Sequence, residues 1–254
     1  MQEPLDLAID SAGIARLTIN RTARANSIDA ELTDALLEAL EYLAEQPNLR
    51  LVVLLGNGRT FCAGIDIGWM KESGGASYDE NYRDATKLAL VLLRLRALPV
   101  PTVAVVTGPA IGFGVGLVAA CDIAIAAETA KFRLSEVRLG ILPAVISPYL
   151  IDAIGERVCR RFFLTAENID AAQAFQLGLV HIVSPLEEIG AIAATLVTEL
   201  LAGKPLAQRA IKGLLDAQRA PQLNEALIAE TARRLTELRG GQEAQDALAE
   251  FIAR

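Results

Sequence analysis

The spacing of apolar residues predicts alternating strands and helices in the first part of the chain. Residues 5–20 alternate between apolar and polar side chains and break at Ser11-Ala12-Gly13, which predicts a β-hairpin. Between residues 30 and 44 leucines recur on one helical face, and Asp29 stands where an N-cap residue accepts backbone hydrogen bonds. The apolar run at residues 49–55 then predicts a buried strand.

The same order of elements returns further along the chain. Residues 73–77 are small or polar and predict a loop, and residues 82–98 predict a second helix that Pro99 and Pro101 end. The remaining predicted elements are a strand at 102–107, a helix at 114–121, strands at 123–127 and 131–134, and helices at 186–201, 205–220 and 223–239. Because strand, strand and helix recur, we expect an α/β fold with a coiled ββα core rather than an open Rossmann sheet. The core is predicted over residues 1–195 and a helical C-terminal part over residues 196–254.

Composition and charge exclude several classes of protein. Hydrophobic residues make up 52% of the 254 residues and charged residues 22%, which excludes a disordered chain. The net charge of -7 argues against a nucleic-acid partner. No stretch reaches the roughly 18 apolar residues that a membrane span needs, and the N-terminus lacks the pattern of a secretory signal. We therefore expect a cytoplasmic protein with no nucleic-acid or membrane partner.

The cysteines and the single histidine do not indicate a metal site. Cys62, Cys121 and Cys159 fit no metal-ligand spacing, so we expect three buried free thiols in a reducing compartment. His181 is the only histidine and lies in a strand-like run, which indicates a structural role. A zinc site or a histidine-based catalytic triad is therefore not expected.

Two glycine-bearing loops are the strongest functional signal in the chain. Residues 61–67 (FCAGIDI) and 108–117 (GPAIGFGVGL) each follow an apolar, β-branched run, so each is predicted to turn from a strand towards a helix. The first turn of a helix has backbone N–H groups without internal partners. Small residues in both loops allow a ligand to approach that backbone closely. Two such loops facing each other would supply two N–H donors to one developing oxyanion.

A nucleotide-binding role for the second loop fits the sequence less well. A dinucleotide-binding fingerprint needs glycine at its sixth position, which Leu117 occupies here. No Gly-Lys-Ser or Gly-Lys-Thr occurs, so a P-loop is excluded. Glycines that only permit close packing of a helix on a sheet remain an alternative for this loop taken alone.

Several motifs, in the same order along the chain, resemble the crotonase (enoyl-CoA hydratase/isomerase) superfamily. They are Asn20-Arg21, Asn26, residues 61–66, residues 107–112 (TGPAIG), residues 120–124 (ACDIA) and residues 132–143 (FRLSEVRLGILP). The resemblance implies a ββα spiral whose C-terminal helices associate as a homotrimer or a dimer of trimers. It also implies an acyl-CoA substrate, no cofactor and no metal.

The resemblance implies roles for particular residues. The oxyanion donors would be the N–H groups of Ala63 and Phe113, although the family usually has glycine at the latter position. Glu136 matches a catalytic glutamate of the family, whereas Gly116 stands where hydratases carry a second one. The remaining predicted substrate-binding residues are Gly64, Ile65, Asp66, Ile67, Gly112, Arg24 and Trp69.

A narrower resemblance concerns the substrate. Residues 68–70 (GWM), 141–149 (ILPAVISPY), 154–157 (IGER) and 160–167 (RRFFLTAE) are similar to the methylglutaconyl-CoA hydratase branch. This branch implies hydration of a branched glutaconyl-CoA, of the 3-methylglutaconyl or isohexenylglutaconyl type, in leucine or acyclic-terpene catabolism. Lys71 and Arg138 are then possible counter-charges for the distal carboxylate of the substrate.

Two alternatives remain open at the level of sequence. A 3,2-enoyl-CoA isomerase needs one proton carrier only, a role that Glu136 alone would fill. A relative that binds acyl-CoA without catalysis is also compatible with the loss of the second glutamate.

Overall fold

The computed structural model describes residues 3–217 and 224–253. The strands are β1 (Leu5–Ile9), β2 (Ile14–Ile19), β3 (Leu51–Gly56), β4 (Thr102–Val106), β5 (Ala110–Ile111), β6 (Ile123–Ala127), β7 (Lys131–Arg133), β8 (Asn168–Asp170) and β9 (Ile182–Ser184). The helices of the core are α1 (Ala30–Ala44), α2 (Ile67–Gly75), α3 (Tyr78–Ala97), α4 (Phe113–Ala120), α5 (Ser147–Ile154), α6 (Glu156–Thr165) and α7 (Ala171–Leu177). The last described helices are α8 (Ile189–Ala202), α9 (Pro205–Ala217), α10 (Glu225–Arg239) and α11 (Gln242–Ile252).

The strands form two sheets that wind along the chain. A six-stranded sheet has the order β1-β2-β3-β4-β6-β9, in which only the hairpin β1–β2 is antiparallel. A three-stranded sheet has the order β5-β7-β8. Twice in succession, at β4–β5 and at β6–β7, the chain adds one strand to each sheet before a helix follows, so the predicted coiled α/β architecture is confirmed.

The large sheet is buried on both faces because its central strands are apolar on both sides. Along β4, Val103 and Val105 point to one face while Ala104 and Val106 point to the other. The first pair packs in a cluster covered by α8, and the second pair belongs to the main core under α1 and α3. Parallel sheets need such double coverage.

Sequence patterns located the first elements correctly. The hairpin pairs Leu5 with Ile19 through Ile9 with Ala15, as the alternating pattern predicted. The Asp29 side chain accepts a hydrogen bond from the Leu32 N–H at 3.0 Å, and α1 begins at Ala30 as predicted. The three cysteines are buried free thiols.

The predicted loop at residues 73–77 is wrong for residues 73–75, and only residues 76 and 77 lie between two helices. Residues 73–75 complete α2, which Asp66 caps by accepting from the Trp69 N–H at 3.2 Å. Ser77 then caps α3 in a reciprocal capping box with Glu80. A Cβ on Gly74 would lie 2.4 Å from the Arg239 carbonyl oxygen of α10, so this glycine permits close packing of α2 against α10.

The C-terminal helices extend beyond the prediction. The predicted ends at residues 220 and 223 lie outside the described residues, while α11 was not predicted. The division after residue 195 stays a prediction, and α8 runs across that position. In the described ranges, no single helix is long and apolar enough to cross a membrane; α8 and α9 pass that test only as a pair, bent by 98°.

Candidate active site

The two glycine-bearing loops lie side by side. The Cys62 N–H donates to the Pro109 carbonyl at 3.2 Å, and the Ile111 N–H donates to the Cys62 carbonyl at 2.9 Å. Gly64 has φ +90°, and a Cβ built on it would lie 2.8 Å from the Ile111 oxygen and 3.7 Å from the Phe113 nitrogen. Both the backbone conformation and this close approach require glycine.

The N–H of Ala63 is not an oxyanion donor. It donates to the Ala25 carbonyl at 3.1 Å, so it already has a partner within the fold. A donor held in this way by the backbone is not available to a substrate. The prediction that assigned the first donor to Ala63 is therefore wrong by two residues.

The backbone geometry makes Ile65 the candidate for the first donor instead. The Ile28 N–H donates to the Gly64 carbonyl and the Asp66 N–H donates to the Ile28 carbonyl, both at 2.8 Å. In such a parallel bridge the Ile65 N–H points away from Ile28. Among the residues that the structure describes, none accepts from it. Ile65 also lines the cavity next to Phe113, so its N–H is placed as a donor there.

Phe113, the predicted second donor, lines the cavity at the start of α4. It is the first residue of α4, so its N–H has no partner inside the helix. Gly112, at φ +51°, turns the chain into this helix. The Phe113 side chain is only 2% exposed. The ring that replaces the usual glycine is accommodated in the core, and the backbone donor is retained.

Glu136 lies against the second loop. It starts a short 3-10 turn, and a Cβ on Gly112 would lie 2.9 Å from its Oε1. Its Oε2 is buried and accepts no hydrogen bond within the described part of the chain. Burial raises the pKa of the Glu136 carboxyl to about 7, against a smaller lowering by its own backbone N–H. A carboxyl with this pKa exchanges a proton readily near neutral pH.

Gly116 stands at the position of the second family glutamate, and the Ile146 side chain occupies the space that a side chain there would need. A Cβ on Gly116 would overlap the Cγ2 of Ile146, and it would lie 2.9 Å from the Ile146 Cβ and 3.5 Å from Leu92 Cδ1. No carboxylate at position 116 would fit without moving Ile146. Among the described residues that line the cavity, Glu136 is the one carboxylate.

A small cavity and a wide cleft meet at this point. The cavity, about 50 Å³, is lined by the two donor loops and by the apolar segment 141–146. Its polar side chains are those of Ser135 and Glu136. The cleft, about 770 Å³, shares Ala63, Ile65, Ile67 and Ser135 with the cavity and opens towards three arginines, Arg24, Arg133 and Arg138.

The predicted substrate-binding residues do not all line these two spaces. Gly64 and Gly112 line the cavity, Ile65 and Ile67 line both spaces, and Asp66 and Arg24 line the cleft. Asp66 also caps α2, which gives it a structural role. Trp69 lies outside both spaces, in a neighbouring recess beside Arg24. Its role in substrate binding stays a prediction.

Sequence reasoning missed several residues of the site. Ser135 was not singled out because a serine before a short turn carries no distinctive pattern. Leu235 of α10 lines the cavity and Phe251 of α11 lines the cleft, although both lie more than ninety positions after the second loop. Ile146 lies inside one of the family-like motifs, but only its contact with Gly116 shows what it does.

Fold and site together define a class of protein. Two main-chain N–H groups and one proton-exchanging carboxyl face a narrow apolar cavity, and a basic cleft leads to it. This is the arrangement expected of an enzyme that stabilises an oxyanion on an acyl thioester and moves a proton next to it. Within residues 3–217 and 224–253 no cluster of His, Cys, Asp or Glu is placed to hold a metal ion.

Comparison with known proteins gives the same class. Residues 10–253 match the model of the enoyl-CoA hydratase/isomerase family, and the chain belongs to this family. It is 32% identical over 237 residues to the 2,3-dehydroadipyl-CoA hydratase of Escherichia coli, covering 93% of this chain and 91% of that protein. It is also 32% identical over 254 residues to the enoyl-CoA isomerase/hydratase fer4 of Mycosarcoma maydis, covering 95% and 92%.

The fold agrees with solved structures of the family. An enoyl-CoA hydratase from Shewanella pealeana superposes with a TM-score of 0.82 at 33% identity, covering 98% of this chain and 93% of that one. The predicted crotonase fold and the predicted enzyme class, an enoyl-CoA hydratase, are thus confirmed.

Proposed function

We propose that this protein adds water across the 2,3 double bond of an enoyl-CoA with Glu136 as its only proton carrier. The observation that carries the proposal is the single buried carboxyl beside two outward-facing backbone donors. In this mechanism the N–H groups of Ile65 and Phe113 donate to the thioester oxygen. They stabilise the negative charge that grows on that oxygen as water attacks C3.

Glu136 then performs both proton transfers. As a carboxylate it takes a proton from the attacking water, and as a carboxylic acid it returns that proton to C2. A pKa of about 7 suits both half-reactions because neither protonation state is strongly disfavoured at neutral pH. Ser135 is the other polar side chain of the cavity, and its hydroxyl is available to orient the water.

The coenzyme is proposed to lie in the wide cleft. Three arginines line it, although the net charge of the chain is -7. Guanidinium groups in a negatively charged protein are a local feature suited to the phosphates of CoA. Phe251 of α11 supplies an apolar surface to the same cleft.

The predicted branched glutaconyl substrate has weaker support. Apart from Ser135 and Glu136 the cavity is lined by glycines and apolar side chains, and its described residues include no cation. Arg138 lies at the cleft and Lys71 lies at neither space, so neither meets a carboxylate held deep in the cavity. An unpaired buried carboxylate is costly. We therefore propose an apolar enoyl group as the preferred substrate, with 3-methylglutaconyl-CoA as the substrate that tests this choice.

Isomerisation of a 3-enoyl-CoA is a second candidate. The observation that favours it is that Ile146 occupies the space of the second family glutamate, because a proton shift between carbons needs no second group to hold water. The same Glu136 would remove a proton at C2 and deliver it at C4.

One set of assays separates these functions. Crotonyl-CoA, 3-methylglutaconyl-CoA and 3-hexenoyl-CoA are each incubated with the enzyme, and products are separated chromatographically. Butanoyl-CoA binding is measured in parallel by calorimetry. We expect hydration of crotonyl-CoA to be faster than that of the glutaconyl thioester. Turnover of 3-hexenoyl-CoA alone would establish the isomerase, and binding without any turnover would indicate a non-catalytic relative.

We also propose that the chain assembles as a homotrimer or a dimer of trimers. Helix α9 has no buried residue, and its apolar side chains Leu206, Ile211, Leu214 and Leu215 are between 55% and 78% exposed. An apolar helix face of this kind is typical of an interface between subunits.

A further inference from the structure

The far wall of the cavity is formed by Ile146 seated over Gly116. Ile146 is the N-cap residue of α5 and is only 2% exposed. Its side chain occupies the space that a side chain at position 116 of α4 would need. Leu92 of α3 lies 3.5 Å from the same point and backs the contact. Three helices therefore close the cavity with one side chain at their junction.

This wall limits the depth of the cavity. The cavity holds about 50 Å³, and Ile146 is one of the residues that line the cavity but not the cleft. Ile65 and Ser135 line both spaces whereas Ile146 lines the cavity alone, so an acyl chain that enters from the cleft is expected to meet the donor loop before it reaches Ile146. Carbons beyond that point have no space in this structure.

We propose that Ile146 determines acyl-chain length in this enzyme, and that Gly116 is the position that allows it to do so. This inference rests on the proposed function, since it concerns the acyl group at the same site. A glycine at 116 does more than remove a carboxylate: it provides the recess into which Ile146 fits. The pair thus excludes both a second carboxylate and a long acyl chain.

Two substitutions should change the cavity in opposite directions. Ile146→Ala removes the wall and opens the space between α4 and α3, so longer chains gain buried carbons. Gly116→Ala pushes Ile146 into the cavity, so even a short acyl group loses space. Each methylene that becomes buried is worth about fourfold in affinity.

The control matches Ile146 in type and burial. Ile125 of β6 is fully buried in the cluster on the opposite face of the large sheet, far from the cavity lining. Ile125→Ala therefore creates a cavity of the same kind without touching the acyl site. A change in the preference for acyl-chain length that appears with Ile146→Ala but not with Ile125→Ala is therefore caused by loss of the Ile146 side chain.

The test uses thioesters of four, six and eight carbons. Hydration of the 2-enoyl-CoA series gives kcat/KM, and calorimetry with the saturated series gives affinity without turnover. For the wild type we expect kcat/KM and affinity to be at least ~10-fold lower with eight carbons than with four. Ile146→Ala should raise the ratio of the eight-carbon value to the four-carbon value at least ~10-fold. Gly116→Ala should weaken even the four-carbon ligand, and Ile125→Ala should leave the ratio unchanged.

The inference would be overturned by a folded Ile146→Ala variant whose eight-carbon to four-carbon ratio stays within about twofold of the wild-type ratio, both for kcat/KM and for affinity. If Ile146→Ala does not fold, Ile146→Val is used in its place. We expect it to raise kcat/KM and affinity for the six-carbon thioester about fourfold, and no increase would contradict the inference. Failure of hydration with intact binding would reject the proposed function alone, because the binding series still reports chain length.

Discussion

At the scale of single residues, the site depends on a carboxyl whose environment changes its chemistry. Glu136 is partly exposed as a residue, but its Oε2 is buried without a partner in the described chain. Gly112 has no side chain, and for that reason the carboxyl can lie against the donor loop. Burial and proximity together make an ordinary glutamate into a proton carrier for neutral pH.

Replacing Glu136 by glutamine tests this role. The amide keeps the shape of the side chain but can neither accept nor return a proton, so we expect kcat to fall at least ~10²-fold. Affinity for butanoyl-CoA should change little, because the backbone donors remain. The measurement is steady-state hydration with calorimetry as the control. A variant that keeps more than about a tenth of the turnover would contradict the single-carboxyl mechanism.

The raised pKa also predicts a pH dependence of stability. Between pH 4.5 and about 7 the folded protein keeps a proton on Glu136 that the unfolded chain releases. The free energy of unfolding should therefore fall as pH rises through this window, by on the order of 2 kcal/mol. Urea denaturation at several pH values measures this slope. Glu136→Gln should remove that part of the slope, and an identical slope in both proteins would contradict the raised pKa.

The reassignment of the first oxyanion donor can be tested by changing the backbone itself. An amide-to-ester exchange at Ile65 replaces the N–H by oxygen with little change of shape, and we expect kcat to fall by about 10²–10³-fold. The same exchange at Ala63 removes the hydrogen bond to Ala25, so it should lower Tm and leave kcat within about threefold. The reverse pattern would restore Ala63 as the donor.

At the scale of elements, the donor loop is positioned by the segment before α1. Asn26 is fully buried at φ +57°, a conformation that asparagine tolerates better than most residues. Its side-chain nitrogen donates to the carbonyls of Asn57 at 2.9 Å and Thr60 at 2.6 Å. The neighbouring residues Ala25 and Ile28 hold the loop at residues 63–66 through backbone hydrogen bonds. Asn26 is thus a positioning residue for the Ile65 N–H.

Asn26→Asp is expected to disturb this positioning. The carboxylate still accepts from the Arg21 N–H, but it cannot donate to the two carbonyls and instead repels them. We expect kcat to fall at least ~10-fold with little change in KM, since coenzyme contacts lie elsewhere. Asn57→Asp makes the same chemical change at an exposed position and serves as the control, because the Asn57 side chain bonds to Asn20 and not to the donor loop. Equal effects of both variants on kcat would contradict the positioning role.

The sequence predicted those elements whose signals are local. A hairpin pattern, an N-cap at Asp29 and two loops after apolar strands were sufficient for the core and for the general location of the site. Prediction from the sequence failed where a residue's role depends on a contact with a residue far away in the chain. Gly74 packs against the Arg239 carbonyl of α10, and Ala63 is excluded as a donor because Ala25 is its partner. Neither contact is visible in the spacing of residues.

At the scale of the whole molecule, two of the C-terminal helices line the candidate site, whereas α9 packs against the core on one side and is exposed on another. Helices α10 and α11 return to the site and supply Leu235 and Phe251. Helix α9 is held to the sheet by Lys212, whose Nζ lies 2.6 Å from Asp122 Oδ2 and donates to the Val100 carbonyl at 3.0 Å. The ion pair fixes one side of α9, and the apolar side chains of Ile211, Leu214 and Leu215 are exposed on another side.

That outward side predicts self-association. Ile211, Leu214 and Leu215 follow helical spacing and are each more than half exposed, so three apolar side chains share one uncovered face. We expect the wild type to be a trimer or hexamer by light scattering coupled to size-exclusion chromatography at micromolar concentration. Ile211→Asp combined with Leu214→Asp should yield a folded monomer, because desolvating two carboxylates opposes association. Leu164→Asp, at a 70% exposed leucine on α6, should leave the oligomer intact. A monomeric wild type, or an oligomer that survives both substitutions on α9, would contradict the role of this face.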